Sequence, residues 1–183
     1  LSEILRGARQ ACGPDFIVGV RLSPGVPLPH AGMSLEETLQ ILPWIEADGA
    51  DFVHMSLKEA GNIPEHAEGG HRDGAPGKPA ADERVGSVVL PAARERLSSK
   101  VCLMAAGGVT DRIAAEQALS HGADMVAIGR AAIGNAAWPH LIEEGAEIAQ
   151  PPHSPEHLAA EGLSAPFIAY MRRWPGFVAE TDA

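Results

Sequence analysis

Short apolar runs alternate with segments of helical spacing along most of this chain. Phe16-Ile-Val-Gly-Val-Arg-Leu22 is nearly continuous, with charge only near its end. Asp51-Phe-Val-His-Met-Ser56, Val101 to Ala105 and Met125 to Ile128 are three more such runs. Runs that tolerate burial on both faces suit the strands of a parallel sheet. The first helical pattern covers residues 1–12, with Ile4, Leu5 and Ala8 on one side and Gly13-Pro-Asp15 as its stop. Ser34 with Glu37 makes a capping box ahead of Leu35, Leu39, Leu42 and Ile45, and Asp48-Gly49 closes that helix. Pro43 falls inside the pattern, where proline can kink a helix. Further helices are predicted over Arg84–Leu97, Asp111–His121, Trp138–Ala149 and Glu156–Arg173, the last divided at Pro166.

Two stretches carry no period. Ser23 to Pro29 holds three prolines and reads as loop. Leu57 to Asp82 is rich in Gly, Pro, His and Glu, and its length marks either disorder or a functional lid. Strand followed by helix, four times over, implies an α/β fold with parallel strands and right-handed crossovers. Gly49-Ala-Asp-Phe-Val53 is echoed by Gly122-Ala-Asp-Met-Val126. The echo fits either duplicated units or a common turn chemistry.

Composition narrows the classes. At 183 residues the chain fits one domain with a real core, and 45% apolar with 21% charged residues is globular usage. A net charge of -10 argues against broad nucleic-acid or anionic-membrane binding, while leaving room for one cationic pocket. No run is long and apolar enough to span a bilayer, and Leu1–Arg6 lacks the apolar core of a signal peptide. There is no initiator methionine, so a processed or truncated piece of a longer protein is expected. Cys12 and Cys102 form no CxxC; Cys102 is expected to be buried, and a reducing, cytoplasmic setting follows.

The candidate chemistry lies at the strand ends, where parallel α/β folds gather ligands. The first strand ends at Arg21, the second at His54 and Ser56, the third at Gly107-Gly108 and the fourth at Gly129-Arg130. Glycines let backbone N–H groups approach an anion, following helix N-termini add their dipoles, and Arg130 supplies a charge-assisted bond. The bland alternative for Gly107-Gly108 is a tight turn. Arg21, costly to bury alone, calls for a carboxylate such as Asp51 or Glu36, or for a ligand of anionic character. His54, His66 and His71 lack paired spacing, so no metal is expected. Glu36-Glu37 and Glu143-Glu144 read as solvated helix faces.

Val20-Arg-Leu-Ser-Pro24, Gly49 to Ser56, Ala105-Ala-Gly-Gly-Val-Thr-Asp111 and Gly122 to Arg130, in this order and spacing, resemble the old yellow enzyme group of NADH:flavin oxidoreductases. The resemblance implies the C-terminal half of an FMN-binding (β/α)8 TIM barrel over residues 1–150. It also implies a helical tail, 151–183, packed on the barrel or on a neighbouring subunit. It assigns Arg21 to the flavin ring near N1 and the C2 oxygen, where a cation stabilises reduced flavin. It assigns Ala106, Gly107, Gly108, Gly129 and Arg130 to the FMN phosphate, and Ser56 to the substrate side. The implied activity is NAD(P)H-dependent reduction of activated alkenes or related small-molecule acceptors. The family's substrate-binding histidine pair and tyrosine donor belong to the other half of the barrel, and Tyr170 does not match that donor. No catalytic residue is assigned in this chain, and pairing with a second half, or oligomerisation, is expected at the open sheet edges. The alternatives are a phosphate-binding barrel without flavin, acting on a phosphorylated sugar, and a non-catalytic half-barrel module.

Overall fold

The computed structural model describes residues 1–24, 33–57 and 88–180. They fall into two compact units, one built from Leu1–Val109 and Ile113–Ala127, the other from Thr110–Arg112 and Ile128–Ala183. The loop expected around Leu57–Asp82, and the first residues of the helix expected from Arg84, lie outside the described residues.

In the first unit, α1 (Ser2–Cys12), β1 (Gly19–Leu22), α2 (Leu35–Ala47), β2 (Phe52–Ser56), α3 (Val89–Arg96), β3 (Cys102–Ala106), α4 (Arg112–Ser120) and β4 (Met125–Ala127) follow one another. The strands form a parallel sheet in the order β1-β2-β3-β4. The α/β half-barrel expectation is met. Successive side chains of a strand point to opposite faces. Val53, Met55, Leu103 and Ala105 on one face are fully buried, as are Leu42, Ile45, Leu90 and Ala93 of the helices. The other face carries Arg21, His54, Met104 and Met125 in one register row, and Ser56, Ala106 and Ala127 in the next.

The helices show why the local patterns work and where they mislead. At α2 the Glu37 N–H donates to Ser34 Oγ (3.1 Å) and the Ser34 N–H to Glu37 Oε2 (2.8 Å), completing the capping box. The helix runs on through Pro43. Thr38, not singled out by the apolar spacing, is fully buried because its hydroxyl donates to the Ser34 carbonyl at 2.8 Å. Pro91 lies in the first turn of α3, where N–H groups have no helical acceptor to lose. The first strand begins at Gly19 rather than Phe16; Phe16 and Ile17 are exposed. Of the three apolar residues expected to face inward from α1, only Leu5 is buried.

The Gly-Ala-Asp echo has a common three-dimensional form. Arg9, near the end of α1, donates to the carbonyls of Gly13 and Phe16 and to Asp51 Oδ2. Asp51 accepts the Val18 N–H at 2.7 Å on the same oxygen. Arg94, near the end of α3, donates to the carbonyls of Ser98 and Val101 and to Asp124 Oδ2, which accepts the Leu103 N–H at 2.7 Å. In both clamps the two carbonyls lie four and seven residues beyond the arginine. Each clamp ties a helix end to the entry of two neighbouring strands. The segment α1-β1-α2-β2 therefore repeats as α3-β3-α4-β4.

The second unit is helical: α5 (Arg130–Ile133), α6 (Trp138–Glu144), α7 (Pro155–Ala160) and α8 (Ala165–Met171). The tail helix divides as expected, with Pro166 in the first turn of α8. The helix α6 stops earlier than its pattern suggested because Gly145 takes the left-handed conformation there. Leu158, Ile168, Met171, Phe177 and Val178 form the unit's core. Asn135, buried, donates to the carbonyls of Ala131 and Ala149 and accepts the Ala149 N–H. No helix of the described residues is long and apolar enough to cross a membrane.

Candidate functional site

In the first unit Arg21 stands at the carboxyl end of β1 with its side chain exposed. Both carboxylates that could have paired with it are engaged elsewhere: Asp51 with Arg9, and Glu36 with Gln40. Arg21 instead donates from Nη2 to Ser56 Oγ at 2.6 Å. It has no ion-pair partner among the described residues. Ser56, expected on the substrate side, thus holds Arg21. Its strand neighbour His54 is the register partner of Arg21. His54 Nε2 is buried and has no hydrogen-bond partner among the described residues. Burial, and secondly the Arg21 cation, push the imidazole below its usual pKa.

Ala106 ends β3, and its carbonyl accepts the Leu57 N–H at 2.7 Å. Gly107 follows with φ 112° and Gly108 with φ 67°. A Cβ on Gly107 would collide with the Leu57 carbonyl oxygen. The chain's own packing therefore demands this glycine, a reason beyond ligand approach. Gly108 is exposed, and its N–H has no acceptor among the described residues.

In the second unit Gly129 is the N-cap of α5, and a Cβ there would meet open space. Nothing in the packing around its Cα requires a glycine, so the open backbone fits close approach by a ligand. Arg130 is exposed, and its guanidinium has no partner among the described residues. The helix it begins has four residues, too short for the dipole contribution expected of it. The second expected dipole belongs to α4, which begins at Arg112 rather than directly after Thr110.

The other candidates resolve simply. Cys102 is half-buried rather than buried, and Cys12 is exposed; both are free thiols. Burial and the Asp124 carboxylate push the Cys102 thiol up. Among the described residues no three His, Cys, Asp or Glu side chains stand together to hold a metal; His66 and His71 lie outside them. Arg172 donates to the Ala179 carbonyl, and Arg173 lies over the Tyr170 ring at 5.4 Å. Sequence reasoning missed the Arg9 and Arg94 clamps, whose visible signal was the Gly-Ala-Asp echo, and α5, which is too short to show a period.

Residues 1–148 match the NADH:flavin oxidoreductase / NADH oxidase family. The chain belongs to this family. It is 30% identical over 145 residues to the NADH:fumarate oxidoreductase of Klebsiella pneumoniae (strain 342), covering 77% of this chain and 14% of that protein. It is 27% identical over 144 residues to the NADH oxidase of Thermoanaerobacter brockii, covering 78% of this chain and 20% of that one. The chain thus spans a small part of the length of the curated relatives it matches. Among solved structures, morphinone reductase in complex with tetrahydroNAD superposes with a TM-score of 0.57 at 22% identity, over 85% of this chain and 36% of that one. The strand order, the parallel register and this likeness together make the first unit a segment of the family's barrel.

Proposed function

We propose that this NADH:flavin oxidoreductase family member binds FMN and serves NAD(P)H-dependent reduction of an activated alkene or related small-molecule acceptor. The observation that carries the reading is Arg21: a cation at the end of a strand, with no ion-pair partner among the described residues, in a segment that matches this family. FMN, when bound, supplies the centre that takes hydride from the nicotinamide and passes it to the acceptor. The chain's own residues do the holding. Arg21 balances negative charge on the pyrimidine edge of the ring. Ala106, Gly107 and Gly108 offer backbone to the phosphate, and Gly129 and Arg130 contribute open backbone and a charge-assisted bond. Ser56 sits toward the substrate side through its hold on Arg21. The family match favours this reading over a phosphorylated-sugar barrel or a non-catalytic module. The names of the matched relatives favour NADH as the donor.

The proposal includes closure of the sheet by a second barrel half, supported by edge strands β1 and β4 that each have one neighbour among the described residues. It places the tail 151–183 against a barrel surface, its own or a neighbour's, through the exposed rings of Phe167, Tyr170 and Trp174. A cytoplasmic setting accords with the two free thiols.

Titration with FMN, followed by quenching of flavin fluorescence, tests the reading. Saturable binding is expected, weakened about 10- to 100-fold by Arg130→Ala, the worth of one charge-assisted bond. Absence of binding overturns the function, and unchanged affinity in the variant overturns the phosphate role of Arg130.

A further inference from the structure

Arg21 is aimed by groups that leave its charge intact. Its Nη2 donates to Ser56 Oγ at 2.6 Å, and the residue beside it on the next strand is His54. Ser56 and His54 share one face of β2. Their register rows contain Met104, Met125, Ala106 and Ala127, and no carboxylate. Asp51 precedes the other end of β2 and is held there by Arg9 and the Val18 N–H. A carboxylate in place of Ser56 would fix the guanidinium more firmly, because charge-assisted pairs are stronger, but it would cancel the charge. A hydroxyl gives direction without neutralisation. Having accepted from Arg21, it keeps its own hydrogen to donate elsewhere. His54, the register partner of Arg21, has an Nε2 with no hydrogen-bond partner among the described residues, and burial, then the Arg21 cation, lower its pKa.

We propose that Ser56 and His54 are positioning residues for Arg21, Ser56 orienting the guanidinium and His54 seating it from the neighbouring strand. The consequence for flavin rests on the function proposed above; the seat itself does not.

The test has two arms. Without flavin, NMR titration of the His54 imidazole reads the coupling. Arg21→Ala and Ser56→Asp are both expected to raise the His54 pKa, the first by removing the cation and the second by pairing with it. A His54 pKa unmoved by both variants overturns the seat, whether or not FMN binds. With FMN, the ratio of affinities for reduced and oxidised flavin reads the aim of Arg21. Ser56→Ala is expected to lower that preference about threefold to tenfold, the worth of one hydrogen bond. Ser56→Thr should restore it, and Ser56→Asp should lower it at least as far while still holding Arg21. An unchanged ratio in Ser56→Ala, or no rescue by threonine, overturns the role of Ser56. Failure of FMN to bind any form overturns the proposed function and leaves the first arm to decide the seat.

Discussion

Gly107 and Gly129 both stand at strand ends, yet of the two only Gly107 has a Cβ position blocked by its surroundings. Its φ of 112° is one that L side chains rarely adopt, and a Cβ would strike the Leu57 carbonyl. Gly129 has φ -105° and open space around its Cα. Gly107→Ala is therefore expected to destabilise the ligand-free protein by more than 1 kcal/mol, roughly, as for alanine forced to positive φ. Gly129→Ala, whose Cβ meets no neighbouring atom, is expected to cost the ligand-free protein less than Gly107→Ala and to weaken FMN binding. Thermal melts with and without FMN check both; equal ligand-free melting of wild type and Gly107→Ala would sink the packing argument. The sequence announced both glycine sites as strand-end backbone. It could not separate them, because the collision at Gly107 comes from Leu57, far away in the chain. Arg21 teaches the same lesson: Asp51 was a plausible partner by composition, and only the clamp geometry shows Arg9 occupying it.

At the scale of elements, the clamps carry a pH dependence. The backbone bond from Val18, then the bond from Arg9, hold the Asp51 carboxyl below its usual range. A carboxylate with a lowered folded pKa stabilises the fold above its unfolded pKa of about 3.9, and that contribution is lost as pH falls through the folded value. Asp51→Asn is expected to lower stability at neutral pH by about 1 kcal/mol, discounted for the side chain's partial exposure, and to flatten the acid limb of the stability curve. Chemical denaturation at several pH values checks this; parallel curves for the two proteins would contradict it. The second unit holds the opposite chemistry. His153 is 3% exposed, its N–H donates to the Phe177 carbonyl, and its own carbonyl accepts the Ala179 N–H. Its Nε2 abuts Gly134 without a partner among the described residues. Its ring stacks on His157, which donates to the Gly134 carbonyl at 2.7 Å. Burial, then His157, push its pKa down, with Glu161 opposing. The unfolded chain thus binds a proton first, so stability falls as pH drops below about 6.5 and the loss saturates below the folded value. Hydrogen exchange in α7 and α8 should accelerate between neutral and mildly acidic pH, and His153→Phe should blunt that change. Equal acceleration in both proteins would assign it to another group.

For the whole molecule, the repeat decides what the open edges mean. Positions equivalent through the clamps have opposite fates: Val89 of α3 is 5% exposed and its counterpart Ile4 of α1 is 73% exposed. Val101 before β3 is 2% exposed, and its counterpart Phe16 is 57% exposed. The sequence patterns are alike, which is why the apolar side of α1 and the start of β1 were read as buried. The difference is that α3 and β3 have α2 and β2 before them, while α1 and β1 have no such neighbour among the described residues. The inner junction supplies the template, with Cys102 N donating to Asp51 O at 2.9 Å and Leu57 N to Ala106 O at 2.7 Å. A closing half is expected to repeat these bonds at β1 and β4, burying Phe16 and Ile17. Each hydrophobic side chain so buried contributes about 1.5–3 kcal/mol, which favours closure strongly once the backbone edges are also paired. Ile17→Lys is expected to leave the stability of this chain unchanged while abolishing that association. Light scattering reads the association, and amide exchange across β1 and β4 reads the edges. Edge amides as protected as those of β2 and β3 in a monodisperse monomer would show that the sheet needs no second half.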